Sequence, residues 1–308
     1  MKQNQLLKGV IAIMVTPRDD QGNLDERRTK NHLRFLIDNG FNSENGAVLI
    51  TGSIGECACL TTEEKEKVWN WCVEEAKGQV PLIAGINHTN PDTIIDMAER
   101  ANSAGTDLAM IMTPYYWKNP IKSIRDFFLT FINSIELPIL LYNNIPATQV
   151  DLPIDLLTEL VEYDNVIGIK ECTPNFMKLE RVYHKVIDKV QLINGNGEFW
   201  EPYAALMGCD GFVSGLANFA PQIPISIYQA NLKKEYDKVF AIRKKLQPYS
   251  DYFFSITGKY GMSVEPELLK VAATFAGSNV GPSKLPVTPL NAEERKELEQ
   301  VLADCGLI

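Results

Sequence analysis

Histidine is scarce in this chain, with three residues in 308, His32, His88 and His184, standing far apart. No local pair has metal-ligand spacing. The six cysteines are scattered, and Cys57-Ala58-Cys59 is the one close pair. A single intervening residue is a poor zinc spacing, so buried reduced thiols are expected and a metal is not. No apolar run approaches the roughly 20 residues that cross a bilayer. The segment from Met1 to Lys8 is polar and lacks the charged-then-apolar layout of a secretory signal. Basic clusters stop at Arg243-Lys244-Lys245, and the net charge is −9, which argues against nucleic acid as a partner. A Gly-rich dinucleotide fingerprint after an early strand is also missing. These absences point to a soluble cytoplasmic protein acting on a small molecule.

What is present is alternation. The apolar runs Val10–Val15, Ala47–Thr51, Pro81–Ile86, Leu108–Thr113, Ile139–Tyr142, Val166–Lys170, Val190–Asn194 and Gly211–Ser214 read as strands. They are apolar on both faces, as in a buried parallel sheet. Amphipathic segments lie between them, among them Arg28–Asn39, Glu63–Ala76, Thr93–Ser103, Ser123–Ser134 and Leu156–Val161. Helix entries are marked by the capping-box pattern Thr61-Thr62-Glu63-Glu64 and by Asn90-Pro91. Eight such alternations predict an α/β fold, a closed (β/α)8 TIM barrel. Three more helical segments follow, Leu232–Leu246, Pro266–Ala276 and Ala292–Ala303. They predict a C-terminal helical appendage over residues 231–308 on a catalytic barrel over residues 1–230.

Catalytic groups of such barrels sit at the C-terminal ends of strands. Lys170 ends the sixth apolar run. Desolvated there, its ammonium would have a lowered pKa and supply a neutral amine able to attack a ketone. The alternative is a lysine whose head reaches solvent past the strand end. Tyr142 ends the preceding run, and its phenol can shuttle the protons that carbinolamine collapse requires; alone, it reads equally as a rim aromatic. Thr51-Gly52-Ser53-Ile54-Gly55-Glu56 is either a plain turn or a seat of backbone N–H groups for a small carboxylate. Tyr115 and Tyr116 end the fourth run.

Taken together, these stretches resemble one family. Val15-Thr16-Pro17, Gly52-Ser53-Ile54-Gly55-Glu56, Thr113-Pro114-Tyr115-Tyr116, Leu141-Tyr142-Asn143 and Ile167-Gly168-Ile169-Lys170-Glu171 match the dihydrodipicolinate synthase / N-acetylneuraminate lyase superfamily of class I aldolases in order and spacing. Gly208–Ser214 and Leu285–Leu290 match its eighth strand and the entry to its last helix. The resemblance implies that Lys170 forms a Schiff base with pyruvate or another 2-oxo acid and that Tyr142 is the general acid/base. It implies that Ser53 relays protons and touches the carboxylate, beside Ile54. Tyr116 would be a second relay tyrosine that reaches a neighbouring subunit's site in the synthase branch. Val213 would line the pyruvate pocket with its main chain, and Gly195 and Glu198 would lie on the substrate side. No cofactor is implied, and a homotetramer built as a dimer of dimers is.

Three positions depart from the family's best-known members. Ile54 stands where a small polar residue is usual. Ala147 matches the arginine that clamps the distal carboxylate of aspartate semialdehyde, and a methyl group cannot replace that bidentate contact. Gly197 replaces one of the acidic pair that sialic-acid lyases use, leaving Glu198, which also reads as a solvated helix-start carboxylate. Trp117, Phe199 and Trp200 add aromatic bulk near the same mouth. Glu56-Cys57-Ala58-Cys59-Leu60-Thr61 further resembles hydratase-aldolases that cleave aromatic pyruvate adducts. The expectation is an aldolase joining pyruvate to an aldehyde, or cleaving a 2-keto-3-deoxy sugar acid or similar 4-hydroxy-2-oxo acid. The alternatives are a synthase of the dihydrodipicolinate type, a dehydratase or hydratase-aldolase on the same imine, and a non-catalytic keto-acid-binding homologue.

Overall fold

In the computed structural model, which describes residues 6–308, the eight apolar runs form strands whose residues are all buried. They are β1 (Gly9–Ile13), β2 (Gly46–Ile50), β3 (Leu82–Gly85), β4 (Leu108–Met112), β5 (Ile139–Asn143), β6 (Val166–Glu171), β7 (Gln191–Asn194) and β8 (Gly211–Ser214). Each pairs in parallel with the next, and β8 returns to β1 with Ile11 opposite Val213, closing the barrel. Closure brings backbones too close for side chains. A Cβ on Gly211 would stand 1.9 Å from the carbonyl oxygen of Gly9. Glycine is required there by space.

The helices are α1 (Glu26–Asp38), α2 (Thr62–Ala76), α3 (Pro91–Ala104), α4 (Ile121–Ile132), the short α5 (Ile145–Thr148), α6 (Ile154–Leu160), α7 (Phe176–Val186), the short α8 (Tyr203–Leu206) and α9 (Gln222–Leu232). Beyond these come α10 (Tyr236–Lys245), α11 (Gln247–Tyr260), α12 (Glu265–Phe275) and α13 (Ala292–Asp304). The Thr61–Glu64 capping box and the Asn90 cap with Pro91 open α2 and α3 as the sequence predicts. The predicted helix Leu232–Leu246 is instead the last residue of α9, a turn with Lys234 at φ 59°, and α10. Helix α9 buries Pro224, Ile225, Ile227, Tyr228 and Ala230 and keeps a narrow polar stripe of Gln222, Ser226 and Gln229. Helix α11 escaped the sequence reading altogether. Its Tyr249, Tyr252, Phe253 and Ile256 do follow helical spacing. Gly258 and an outward Phe254 obscure the pattern.

Two apolar clusters organise the packing. One lies between the barrel's outer face and its helices, and includes Val10, Val48, Leu141 and Trp69. The other fills the barrel interior with Ile11, Ile83, Leu140 and Ile193, and continues without a break into Tyr249, Phe253, Leu268 and Leu298 of the C-terminal helices. The C-terminal helices therefore share the core of the barrel's interior.

A buried ion triad joins the same two parts. Arg18, Glu56 and Lys270 are almost fully excluded from solvent. Glu56 accepts from Arg18 Nε at 3.4 Å and pairs with Lys270 through its other oxygen. The Lys270 ammonium also donates to the Pro282 carbonyl at 3.0 Å, and Glu56 takes the Lys284 N–H at 3.1 Å. Nearby, Asn218 accepts the Val15 N–H and donates to the Ile13 carbonyl, with neutral His32 against its Oδ1. Burial above all, with the Lys270 charge adding to it, drives the His32 pKa down to about 4. Removing one partner of a buried pair strands the other charge. Glu56→Gln, which leaves the Arg18 and Lys270 charges without their shared anion, is therefore expected to lower unfolding free energy by about 3–5 kcal/mol in urea titrations. A loss under about 1 kcal/mol would place this triad with dispensable surface pairs.

Candidate active site

Register puts the two central side chains side by side. Tyr142 on β5 is paired with Lys170 on β6, and the lysine Nζ lies 4.0 Å from the tyrosine ring centroid. Lys170 is 4 % exposed. Among the described residues it has no salt-bridge partner, so burial lowers its pKa. Cys172, Glu265 and Cys57 offset this only in part. The solvent-reaching alternative for this lysine does not hold. Its neighbour Glu171 faces away, accepting from Asn143 Nδ2 at 2.8 Å and the Thr173 N–H at 2.8 Å. Asn143 in turn accepts the Leu152 N–H, fixing the ends of β5 and β6 together.

Burial also pushes the Tyr142 phenol well above its usual range. Its oxygen accepts from Asn144 Nδ2, the same residue whose Oδ1 caps α5. Cys172, two residues past the lysine, donates its thiol to the Gly195 carbonyl at 3.2 Å. A Cβ on Gly195 would stand 2.2 Å from that sulfur, so position 195 must lack a side chain to keep the cavity open.

The loop after β2 is held from beneath. Trp69 of α2 donates its indole N–H to Thr51 Oγ1 at 2.8 Å, and that hydroxyl donates on to the Gly85 carbonyl. Thr51 and Glu56 both take left-handed backbone, at φ 53° and 57°. They bracket a tight turn in which the Glu56 N–H bonds to the Ser53 carbonyl. Ser53 is left exposed on the turn, and Ile54 points inward.

These elements enclose a cavity of about 550 Å³. It brings together Lys170, Tyr142, Ser53, Ile54, Val213, Gly195 and Glu198. Tyr116 is not among them. It is 73 % exposed and packs edge-on against Trp117, which is 67 % exposed and likewise absent from the cavity. Phe199 and Trp200 do line the mouth. The remaining walls come from helices to which the sequence assigned no chemistry: Tyr249, Phe253, Phe254 and Thr257 on α11, and Glu265 and Leu269 on α12. Among the described residues, Ala147 lines the cavity, no arginine does, and Lys170 is the one cation in its wall.

Two carboxyls share this space. Glu198 is buried, contrary to the reading of a solvated helix-start carboxylate, and its Oε2 has no hydrogen-bond partner. Burial raises its pKa to about 6. Glu265, half-buried at the start of α12, is raised to about 7 by burial, with the Lys170 charge pulling down and Glu198 pushing up. Between the ordinary value of 4.5 and about 7 the folded state holds this proton more tightly than the unfolded chain does. Stability therefore falls as pH rises through that window, and the whole penalty is present at pH 8. Glu265→Gln removes the titrating group and is expected to raise stability there by about 1–2 kcal/mol, with no gain at pH 4, in paired denaturant titrations.

Comparison with known proteins gives a consistent picture. The sequence profile described as the dihydrodipicolinate synthetase family matches residues 6–305. A 4-hydroxy-tetrahydrodipicolinate synthase of Methanocaldococcus jannaschii is 31 % identical over 306 residues, covering 98 % of this chain and 100 % of its own. The chloride-inhibited dihydrodipicolinate synthase of Acinetobacter baumannii, solved with pyruvate, superposes with a TM-score of 0.88 at 25 % identity, covering 98 % and 100 % of the two chains. A monomeric dihydrodipicolinate synthase variant shares the fold, with a TM-score of 0.89 at 23 % identity and full coverage of both chains.

Proposed function

The chain belongs to the dihydrodipicolinate synthetase family, a family of class I lyases that work on pyruvate, and from that premise we propose that it joins pyruvate to an uncharged, hydroxylated aldehyde, or cleaves the corresponding 2-keto-3-deoxy sugar acid or similar 4-hydroxy-2-oxo acid. One observation carries the choice. Among the described residues no arginine lines the cavity, and Ala147 stands in its wall, so a distal carboxylate such as that of aspartate semialdehyde meets no bidentate partner there. Glu198 offers acceptors to a substrate hydroxyl instead.

In this reading the neutral amine of Lys170 attacks the keto carbon, and water leaves to give the imine. Its lowered pKa keeps more of it unprotonated near neutrality than a free lysine would be. Tyr142, held protonated by burial, hands a proton to the departing carbinolamine oxygen. Ser53 and the backbone beside Ile54 seat the pyruvate carboxylate, and Val213 and Gly195 line the opposite wall. Tyr116 serves the site of a second copy. Two separate exposed apolar patches support a dimer of dimers. One is Tyr116 with Trp117, and the other is Phe176, Met177, Tyr203, Leu206 and Phe240.

A second reading is favoured by the wall of Phe199, Trp200, Phe253 and Phe254. An aryl aldehyde would stack there, and the same imine would serve a hydratase-aldolase.

Borohydride added with pyruvate is expected to leave a stable mass adduct on Lys170, and none on Lys170→Arg. Wild-type protein without an adduct would leave only the non-catalytic homologue. Pyruvate release from 2-keto-3-deoxygluconate and from 4-hydroxy-2-oxo-4-phenylbutanoate then separates the two substrate readings.

A further inference from the structure

Resting on the Schiff-base reading above, we infer that Asn144 is a positioning residue for Tyr142, its amide donating to the phenol oxygen and so aiming the phenol's own proton toward Lys170. Asn144 is the first residue past β5. Tyr142 points into the barrel, and Asn143 turns outward to Glu171, Asp151 and the Leu152 N–H. The backbone of Asn144 is still extended, at φ −132° and ψ 92°, so strand alternation carries its side chain back to the side of Tyr142. It lines the same cavity as Lys170.

The direction of this hydrogen bond is fixed by the far end of the amide. A backbone N–H only donates, so the atom of Asn144 that meets the Ala147 N–H at 3.3 Å is Oδ1. The atom against the phenol is then Nδ2, a donor that cannot accept. Turning the amide over would break both contacts at once. The backbone beneath is held as well, because the Asn144 carbonyl accepts the Thr148 hydroxyl at 2.8 Å and the Thr148 N–H at 3.0 Å. From just past β6, the Cys172 thiol also meets the phenol. That thiol donates to the Gly195 carbonyl at 3.2 Å, which leaves its sulfur only lone pairs to offer. With a donor on the loop side and an acceptor beside β6, the phenol O–H points toward β6. Lys170 stands there, its Nζ 4.0 Å from the ring centroid.

In carbinolamine collapse the C2–O bond breaks, and its oxygen leaves as water with the phenol's proton. The Lys170 nitrogen supplies the pair for C2=N, and the phenol's O–H pair stays on oxygen as a phenolate. The Asn144 N–H meets that charge without moving, and it binds an anion more tightly than a neutral oxygen. The phenolate then takes the proton that C3 loses as the enamine forms, so atoms and charge balance. An alanine at 144 would leave the phenol free to turn its proton elsewhere. A carboxylate there would draw the proton to itself, away from Lys170.

Those two replacements separate the amide's two duties. Aspartate caps a helix as asparagine does but cannot donate, whereas alanine does neither. The test uses full-length wild type, Asn144→Asp, Asn144→Ala, Tyr142→Phe, and Tyr142→Phe combined with Asn144→Ala. Each is mixed with pyruvate, quenched with borohydride over a time course and read by intact mass, and its unfolding is followed in urea. Imine formation is expected to slow about 10-fold in Asn144→Ala and about 100-fold in Asn144→Asp. The unfolding midpoint should nevertheless stay nearer wild type in Asn144→Asp than in Asn144→Ala. Asn144→Ala should add no further slowing to Tyr142→Phe, because no phenol oxygen is left to hold. A residue that merely caps the loop would give the opposite order of rates, with Asn144→Asp the faster variant, and that result overturns the inference. So do rates within threefold of wild type in both variants, or a loss in the double variant equal to the product of the two single losses. Wild type that traps no adduct brings down the Schiff-base reading, and the inference with it.

Discussion

An ammonium placed at the end of a buried strand with no counter-charge is costly, and the site is arranged around that cost. The closed parallel barrel leaves Lys170 nowhere to go but inward. The side chain beside it on β5 is an aromatic ring at 4.0 Å, which offers a weak cation–π contact and no compensating ion. The adjacent carboxylate, Glu171, is tied back by Asn143 and Thr173 so that it cannot neutralise the lysine. Gly195 leaves no side chain against Cys172, and α11 and α12 wall the cavity on the far side. Each of these choices forgoes stability that an ordinary ion pair would supply. The return is an amine that loses its proton more readily than a free lysine.

One buried cluster of charge follows the opposite rule. Arg18, Glu56 and Lys270 are as deeply buried as Lys170, yet they are matched and bonded to the backbone at Gly22, Pro282 and Lys284. Glu56 closes the loop that carries Ser53, while Lys270 lies on the helix that carries Glu265. The triad therefore fixes the carboxylate seat relative to the helical wall of the cavity. Unpaired groups inside the cavity and paired groups just behind it form one arrangement, because unpartnered side chains hold their positions only if the backbone under them is rigid.

The sequence makes the barrel and its strand-end lysine readable because both rest on short-range pattern. Continuous apolar runs can be recognised without knowing their partners, and a lysine closing one of them stands out. Tyr142, Ser53, Ile54, Val213, Gly195 and Glu198 sit on the same strand ends or the loops just past them, so they arrive in the cavity together. Tyr116 does not. It lies on an outward turn, and a single chain gives it nowhere to act. The burial of Glu198 was unreadable for a different reason, since its cover comes from Leu216, Tyr249 and other residues distant in sequence. Glu265 carried no signal at all. At a helix start an acidic residue is ordinary capping-region chemistry, and only the fold of α12 over the barrel mouth turns it inward.

That division bears on how substrate choice is built. The groups needed to make an imine are supplied by β5, β6 and the loop after β2, positions bound by the strand register of the barrel itself. Across the cavity stand Phe253, Phe254, Thr257, Met262 and Glu265. All belong to the segment that follows the barrel, which no strand pairing constrains. Such a segment can change its side chains without disturbing the strand pairing that sets Lys170. One part of the cavity is thus fixed by the register of the barrel, while the helical wall facing it is free of that constraint.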